Sequence, residues 1–324
     1  MATRTWLGPV GDWYNSSLWL TVGAMNSYPL PGDTVIVSSG TIDLLGTEEA
    51  TNGLVDGLQI SLGSAQAGSP ASIVATAATF GQTTTITSTG SDAFANLTAI
   101  GPTGYAGDIV ASAAGGTFTI QATTPDGSEP ADFVLLHGGS ISVSGGDTLV
   151  LDGLITSDAS VTIASGSTLS NNGTDELFAG TTNVESGAML TGSGTFGVNA
   201  DSTLALSCPV PATETITFGT AGRVELGDVA AFAGSITNFL SGDFIDLLNT
   251  TATSASYSTT TGLLTIMNGS TLVAAIKVQG PPTGPLETES DGSGGTTILY
   301  AGSPSRTSLE LTTADQAMGS DIVR

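Results

Sequence analysis

Apolar and polar residues alternate along most of this chain in short segments, and turns containing Gly, Asn or Asp separate the segments. One pattern recurs between residues 143 and 206, where two apolar stretches flank a small polar turn. Its four copies read VSGGDTLVL from Val143, IASGSTL from Ile163, VESGAML from Val184 and VNADSTLAL from Val198. Alternation with a period of two indicates β-strands, and a unit this short cannot bury its apolar face alone. Stacked copies bury a continuous core, so the repeat predicts a β-solenoid.

A leucine at a matching position anchors each copy of the repeat. Four leucines anchor the copies, and they are Leu149, Leu169, Leu190 and Leu204. The first two intervals between them are nearly equal, and the third is clearly shorter. We interpret each copy as one or two strands of a stacked turn, and the stack as extending over residues 37–230.

Composition supports an all-β fold. The chain is 40% hydrophobic but only 6% aromatic, and it contains 44 glycines among its 324 residues. Small and β-branched side chains suit thin layers of short strands, and almost no segment has the residues of a long amphipathic helix. The sequence therefore predicts a right-handed parallel β-helix with an N-terminal cap and a C-terminal β-hairpin module.

The chain divides into four parts on this interpretation. Residues 1–36 contain all three tryptophans, Trp6, Trp13 and Trp19, and are expected to cap the first turn. Residues 37–230 form the solenoid, residues 231–302 the C-terminal module, and residues 303–324 a tail.

Both ends of the chain carry phrases that occur in a known class of proteins. The N-terminal run is Trp13-Tyr-Asn, then Trp19, then Pro-Leu-Pro-Gly-Asp at residues 29–33. The C-terminal run is Gly-Asp-Phe-Ile-Asp-Leu at 242–247 and Ser-Asp-Gly-Ser-Gly-Gly-Thr at 290–296. Together they resemble bacterial secreted and autotransporter-like β-helical surface proteins, although Pro-Leu-Pro-Gly-Asp replaces the Pro-Gly-x-Gly-Asp of that class. The resemblance implies a β-helix and secretion.

The charge balance excludes several partners. Twenty-nine acidic residues face five basic ones, which gives a formal net charge of −24. Such a chain has little with which to neutralise phosphates, so we expect neither nucleic-acid binding nor attraction to an anionic membrane. It also has no apolar run long enough for membrane insertion and no N-terminal signal pattern. We expect an extracellular or cell-surface protein exported without a cleaved N-terminal signal, with a cytoplasmic location as the alternative.

Catalytic residues are scarce. His137 is the only histidine and Cys208 the only cysteine, so a Ser-His-Asp or Cys-His arrangement has little support. β-Helices host polysaccharide hydrolases, which work with paired carboxylates, and lyases, which need a basic residue beside bound Ca²⁺; the body of the chain offers only Arg223 and Lys277 for the second role. The acidic residues of the repeat region are expected to be turn residues instead; they are Asp147, Asp152, Asp158, Asp175, Glu176 and Asp201. We therefore predict that the protein is not an enzyme.

Calcium is the one cofactor that the pattern admits. Asp243, Asp246 and Asp291 lie in Gly- and Ser-rich phrases whose carboxylate and carbonyl oxygens suit Ca²⁺. Plain turns are the alternative explanation, because the tandem Gly-Gly-x-Gly-x-Asp array of calcium-bound rolls is absent.

The ends of the chain carry the functional prediction. Besides the three tryptophans, the tail offers four apolar residues for contact with a neighbouring copy: Leu309, Leu311, Ile322 and Val323. We predict a structural subunit that forms a head-to-tail homopolymer, as an extracellular filament or surface layer, through its solenoid ends and tail. The alternatives are a monomeric adhesin or carbohydrate-binding protein whose outward Thr and Ser ladders contact glycans, and, less favoured, a polysaccharide hydrolase or lyase.

Overall fold

The structure is a computed structural model that describes residues 139–280 and 284–301 without a break. Towards the N-terminus it describes shorter segments, at 2–13, 15–22, 29, 34–37, 41–45, 54–55, 59–62, 71–76, 79–80, 85–88, 94–100, 103–105, 108–111, 115–123 and 132–135. Over these residues the chain is nearly all β-strand, with single 3-10 turns at Ser16–Leu18 and Val229–Ala231.

The first strands of the chain are short. They are β1 (Thr3–Trp6), β2 (Val10–Asp12), β3 (Trp19–Val22), β4 (Thr34–Val37), β5 (Thr41–Leu45), β6 (Leu54–Val55), β7 (Gln59–Leu62), β8 (Ala71–Thr76), β9 (Thr79–Phe80), β10 (Thr85–Ser88), β11 (Phe94–Ile100), β12 (Thr103–Tyr105), β13 (Asp108–Ala111), β14 (Thr117–Thr123) and β15 (Asp132–Leu135).

The remaining strands follow at regular intervals. They are β16 (Ser140–Val143), β17 (Thr148–Asp152), β18 (Leu154–Ser157), β19 (Ser160–Ile163), β20 (Thr168–Asn171), β21 (Thr174–Leu177), β22 (Gly180–Val184), β23 (Met189–Gly192), β24 (Thr195–Val198), β25 (Ser202–Leu206), β26 (Thr215–Phe218), β27 (Arg223–Leu226), β28 (Ser235–Thr237), β29 (Phe244–Leu247), β30 (Ser254–Ser258), β31 (Leu263–Asn268), β32 (Thr271–Gln279), β33 (Leu286–Ser290) and β34 (Thr296–Tyr300).

These strands form three sheets, which confirms the predicted β-solenoid. Sheet A has fourteen strands in the order β3-β1-β4-β7-β10-β13-β16-β19-β22-β25-β27-β29-β34-β33. Sheet B has eight, in the order β2-β5-β8-β11-β14-β17-β20-β23. Sheet C has twelve, in the order β30-β31-β32-β28-β26-β24-β21-β18-β15-β12-β9-β6. Successive turns stack in parallel, and antiparallel pairs occur at the two ends of the molecule.

The alternating pattern fixes which side chains fill the core. In strands such as β18 and β20, every second residue is buried and the others reach the surface. Leu149, Leu169 and Leu190 are directly paired in sheet B, one turn apart, and are at most 4% exposed. The interval between these leucines in the sequence is therefore the length of one turn.

The fourth copy of the repeat does not continue this stack, contrary to the sequence interpretation. Leu204 lies in β25 of sheet A, where it pairs with Thr182. The turn before it, at Asp201 with φ 65°, joins sheet C to sheet A, whereas the earlier copies join sheet A to sheet B. The same strand–turn–strand phrase thus occurs at two different connections, from sheet A to sheet B and from sheet C to sheet A. The interval from Leu190 to Leu204 is shorter than a full turn because these two leucines lie in different sheets.

Sheet B stops at β23 because the chain of the next turn cannot extend it. That chain contains Pro209 and Pro211, which have no backbone N–H to donate to a ladder. Between them, Val210 makes a single parallel bridge to Phe232. The end of the sheet leaves an apolar groove of about 490 Å³ beside Met189, whose side chain is 56% exposed.

The parallel ladder of sheet A joins the predicted parts of the chain. β1 of the N-terminal unit pairs in parallel with β4, and β27 pairs in parallel with β29 beyond residue 230. The hairpins of the C-terminal part then close the stack with antiparallel strands. The residue boundaries of the four parts stay predictions.

Candidate functional site

Two carboxyl groups lie inside the solenoid rather than on it. Asp175 belongs to β21, and its neighbours on the adjacent turns are Ile155 and Phe196, both core residues. The interpretation of Asp175 as a turn residue is therefore wrong, and it is also wrong for Asp152 and Glu176, which lie in strands β17 and β21. The sequence repeat indicates this inward-facing position, because a shift by one turn aligns Asp175 with the apolar Ile155.

Burial determines the chemistry of Asp175. Its side chain is 2% exposed, and Oδ1 has no hydrogen-bond partner within the part of the chain that the structure describes. Loss of hydration raises the pKa of this carboxyl to about 7, and the adjacent charge of Glu176 adds to the effect. Burial thus favours the neutral form of Asp175 far more than it would be favoured in an exposed aspartate.

Glu214 is the second of these two carboxyls, and sequence reasoning missed it because it precedes β26 outside any repeated phrase. Asn171 Nδ2 donates to Glu214 Oε2 at 3.3 Å, spanning two turns of the solenoid. Gly194 lies on the turn between those of Asn171 and Glu214, and a Cβ atom at this position would lie 2.5 Å from the Asn171 side chain. Burial raises the pKa of Glu214 to about 7, and the hydrogen bonds from Gly194 N–H and Asn171 partly oppose this.

The buried polar layer, as we call Asn171, Asp175, Thr182 and Glu214, is closed to substrates. All four are at most 2% exposed. One oxygen of each has no hydrogen-bond partner among the described residues. Paired carboxylates that cleave a polysaccharide must flank a sugar, and these two have no access to one.

Two other candidates, Asp147 and Cys208, are also buried. Asp147 is a turn residue, as predicted, and its Oδ1 accepts from the N–H groups of Gly115 and Gly116 at 2.8 and 2.9 Å. Cys208 is 1% exposed, and burial raises the pKa of its thiol to about 11. His137 lies outside the described residues.

The acids proposed for calcium have protein partners. Asp243 accepts from the N–H groups of Gly222 and Leu240, at 3.1 and 2.7 Å, and burial raises its pKa to about 6. Asp246 is fully buried, with Oδ2 at 3.8 Å from the guanidinium of Arg223.

Asp291 Oδ1 accepts from the N–H groups of Ser293 and Gly295, at 2.7 and 2.8 Å. These bonds are those of ordinary turns. Among the residues that the structure describes, no three His, Cys, Asp or Glu side chains form a group that would hold a metal ion. Calcium binding stays a prediction.

The outward face of sheet C carries a ladder of hydroxyl groups. Thr174, Thr195 and Thr215 are paired on successive turns. At one end of this ladder, the hydroxyl groups of Thr215 and Ser235 lie 3.3 Å apart, within hydrogen-bond distance. The ladder is thus partly satisfied within the protein.

At the N-terminal end, the predicted cap has a tryptophan core. Trp19 packs edge-on against Trp6 and Trp13 with ring centroids 5.0 and 5.3 Å apart, and Trp19 Nε1 donates to Trp13 O at 2.8 Å. All three rings are at most 5% exposed, so they stabilise the cap and do not form its surface. Their assignment to an interface stays a prediction.

Three other apolar side chains are exposed at this end. Leu7, Val10 and Leu20 are 59%, 61% and 51% exposed, and we call them the N-terminal apolar patch. Leu20 lies in β3, the first strand of sheet A.

The C-terminal end is closed by an aromatic stack and ends in another edge strand. The ring of Phe239 lies 5.4 Å from Phe218 and 5.3 Å from Tyr300, whose hydroxyl donates to Phe239 O at 2.7 Å. Beyond this stack, β33 is the last strand of sheet A. A groove of about 500 Å³ separates β33 from the start of β30.

The tail residues Leu309, Leu311, Ile322 and Val323 lie outside the described residues. Within the described residues, the structure contains no helix that is both long and apolar enough to cross a membrane. Comparison with protein-family models matched none of them, and comparison with curated proteins found no similar sequence.

Proposed function

We propose that this protein is a structural subunit that polymerises head to tail into an extracellular filament or surface layer of a bacterium. The observation that carries the proposal is sheet A, which runs from the cap to the last hairpin with an edge strand at each end. Within the described residues, β3 pairs only with β1 and β33 only with β34. The outer side of an edge strand is a template for another strand. Different edges at opposite ends give a heterologous contact, which extends into an open filament when successive copies do not close into a ring.

The N-terminal apolar patch supports the same conclusion. Leu7, Val10 and Leu20 are each more than half exposed and belong to the unit that contains β3. Removing the exposed half of a leucine or valine from water contributes about 1 kcal/mol. A partner that covers this end would therefore gain apolar contact as well as backbone hydrogen bonds.

The arrangement of acids favours this function over catalysis. The two carboxyls with a pKa of about 7 are buried in the solenoid, and Arg223 is paired with Glu225 at 3.2 Å.

The resemblance of the terminal phrases to bacterial surface proteins supports the extracellular location.

Sedimentation velocity and negative-stain electron microscopy test the proposal. The purified protein is examined from about 10 mM to about 1 M salt, over which the Debye length falls from about 30 to about 3 Å. Because each subunit carries a net charge of −24, screening is expected to promote fibres. A monomer at every salt concentration, with and without Ca²⁺, would overturn the proposal.

The tail is tested separately. Deleting residues 303–324 is expected to leave the far-ultraviolet circular dichroism spectrum unchanged and to prevent fibre formation. Fibres of normal length from the truncated chain would show that the tail has no part in assembly.

A monomeric glycan-binding protein is the second candidate, because Thr174, Thr195 and Thr215 form a row on successive turns of sheet C. A glycan array with the purified protein tests it, and Thr195→Val is the informative variant. Binding that is lost in this variant, from a protein that forms no fibres, would favour the adhesin.

A further inference from the structure

We propose that the outward face of sheet A at its C-terminal end is a docking surface for the tail of the same chain. The committed occupant is the segment of residues 306–311. The surface, which we call the C-terminal face, consists of Phe244, Asp246, Thr297 and Leu299. The inference goes beyond the proposed assembly and does not depend on it, because the segment covers its own subunit whether or not subunits polymerise.

Strand pairing defines which side chains point outward at this end of the sheet. β29 and β34 pair so that Ile245 lies opposite Ile298, and both belong to the hydrophobic core of the solenoid. Because successive side chains of a strand point to opposite faces, the flanking residues point away from the core. These outward residues are Phe244 and Asp246 in β29, and Thr297 and Leu299 in β34.

The outward side chains are nevertheless buried. Leu299 is 1% exposed and Phe244 is 7% exposed, although both lie outside the hydrophobic cluster that fills the solenoid. Asp246 and Thr297 are at most 1% exposed. The outward face of a sheet with one core-packed side is ordinarily solvated, so the burial of these four side chains requires a layer of chain above the sheet.

The described elements do not supply this layer. Among them, the extensive contacts of β29 and β34 are with each other, with β27 and with β33, and all four strands lie in sheet A. Strands of one sheet lie side by side and do not cover its face. The covering layer therefore comes from outside the described residues.

The tail starts at the position that this cover requires. β34 ends at Tyr300, one residue after Leu299, and residues 302–324 lie outside the described residues. The other residues that the structure does not describe are 281–283 and segments before residue 139, which belong to turns nearer the N-terminus. Gly-Ser-Pro-Ser at 302–305 is typical of a turn, and a turn there directs the following segment back over β34.

The segment 306–311 has the apolar pattern that the C-terminal face needs. Leu309 and Leu311 alternate with polar residues, so an extended segment places both leucines on one side. Their spacing equals that of Thr297 and Leu299, because both pairs are two residues apart in extended chain. Contact with Leu299 and Phe244 removes apolar surface of both partners from water, which favours docking.

Charge complementarity favours the same segment. Glu225, Glu287 and Glu289 occupy the neighbouring outward positions on β27 and β33. Arg223 is paired with Glu225 and offsets one of these charges. The segment begins with Arg306, one of only five basic residues in the chain. A guanidinium placed beside carboxylates forms charge-assisted hydrogen bonds, which are stronger than those between neutral groups.

Thiol accessibility tests the docking. Leu299→Cys is made in the full-length chain and labelled with a maleimide at low salt. Labelling should be slow, and at least about tenfold faster when Leu309→Ser/Leu311→Ser is added, because loss of the leucine contacts opens the cover. Ile322→Ser/Val323→Ser is the matched control, which removes apolar surface from the far end of the tail and should leave the rate unchanged. A rate that Leu309→Ser/Leu311→Ser does not raise, or that the control raises equally, would overturn the docking.

Cys208 is the internal reference for these measurements. It is 1% exposed, so its thiol should stay unreactive as long as the solenoid is folded. If Cys208 also reacts in the serine variant, the smaller change Leu309→Ala/Leu311→Ala replaces it. Equal labelling of Leu299→Cys with and without that change, in folded protein, would also overturn the docking.

Dilution distinguishes the tail of the same subunit from the tail of a second copy. Protection by a second copy weakens on dilution by mass action, whereas protection by the same chain does not. The labelling rate of Leu299→Cys at low salt should therefore stay constant over a roughly hundredfold range of protein concentration. A rate that rises on dilution would overturn docking on the same subunit. Since these measurements need no fibres, failure of the docking and failure of the proposed polymerisation are separate results.

Discussion

Replacing Asp175 by asparagine is expected to stabilise the protein at neutral and alkaline pH and to leave its stability near pH 4 almost unchanged. The side chain lies between Ile155 and Phe196 in a column of core residues and is 2% exposed. Asparagine has nearly the same shape but carries no charge, so the substitution removes the cost of burying a carboxylate and little else.

The magnitude follows from the pKa. Burial raises the pKa of Asp175 from 3.8 to about 7, so the folded protein binds a proton more tightly than the unfolded chain. The contribution of Asp175 to the free energy of unfolding is greatest below pH 3.8. It decreases as the pH rises from 3.8 to about 7 and is constant above that. At about 1.4 kcal/mol for each pH unit in this interval, the ionised carboxylate costs about 4 kcal/mol.

Urea unfolding from pH 4 to pH 8, followed by circular dichroism, measures this difference. The other acids are common to both proteins, so the difference in unfolding free energy between Asp175→Asn and the unmodified chain isolates Asp175. It should rise from near zero at pH 4 to about 4 kcal/mol at pH 8. Glu176→Gln removes the neighbouring charge that helps to raise the pKa of Asp175, so in that background the difference at pH 8 should be smaller.

Two results would refute this reasoning. One is a pH profile of Asp175→Asn parallel to that of the unmodified protein, which would mean that Asp175 is ionised in the fold at little cost. The other is a variant less stable than the parent at pH 8, which would mean that the carboxylate has a favourable partner.

Two further substitutions test the packing around the polar layer and the C-terminal stack. Gly194→Ala is expected to cost about 2 kcal/mol in urea unfolding, because its Cβ would displace Asn171 and leave buried polar groups unpaired. In an Asn171→Ala background the same change should cost markedly less, and equal costs would refute the contact. Tyr300→Phe removes the hydrogen bond to Phe239 O and should cost about 1 kcal/mol, with the ring stack retained. A loss above about 3 kcal/mol would show that the hydroxyl does more than this one bond.

The candidate sites could be anticipated from the sequence only in part. Asp147 follows Gly145 and Gly146, and this local pattern identified it as a turn residue. Asp175 also follows a turn, after Gly173, yet it is the second residue of β21 and faces inward. If a strand begins one position earlier or later, every residue in it changes face, and the local sequence does not specify where β21 begins. The pairing of β21 with the strands of the adjacent turns specifies it.

The terminal contacts depend even more on the fold. The tryptophans were expected to cap the first turn and to lie near a contact with a neighbouring copy, and in the structure their rings bury one another. Leu20, one residue after Trp19, is the exposed side chain. Composition cannot distinguish the two, since the outcome depends on which face of β3 meets the core.

The sequence by itself determined the strands, the all-β class and the length of a turn, because alternation and the regular interval between repeated phrases can be read along the chain. Only the tertiary structure decided which sheet each copy of the repeat joins, which acids lie inside, and which way the edge strands run. Leu190 and Leu204 close the same phrase, yet they lie in different sheets because the turn before Leu204 joins sheet C to sheet A. The pairing of residues far apart in the chain sets these features, and a local pattern does not specify it.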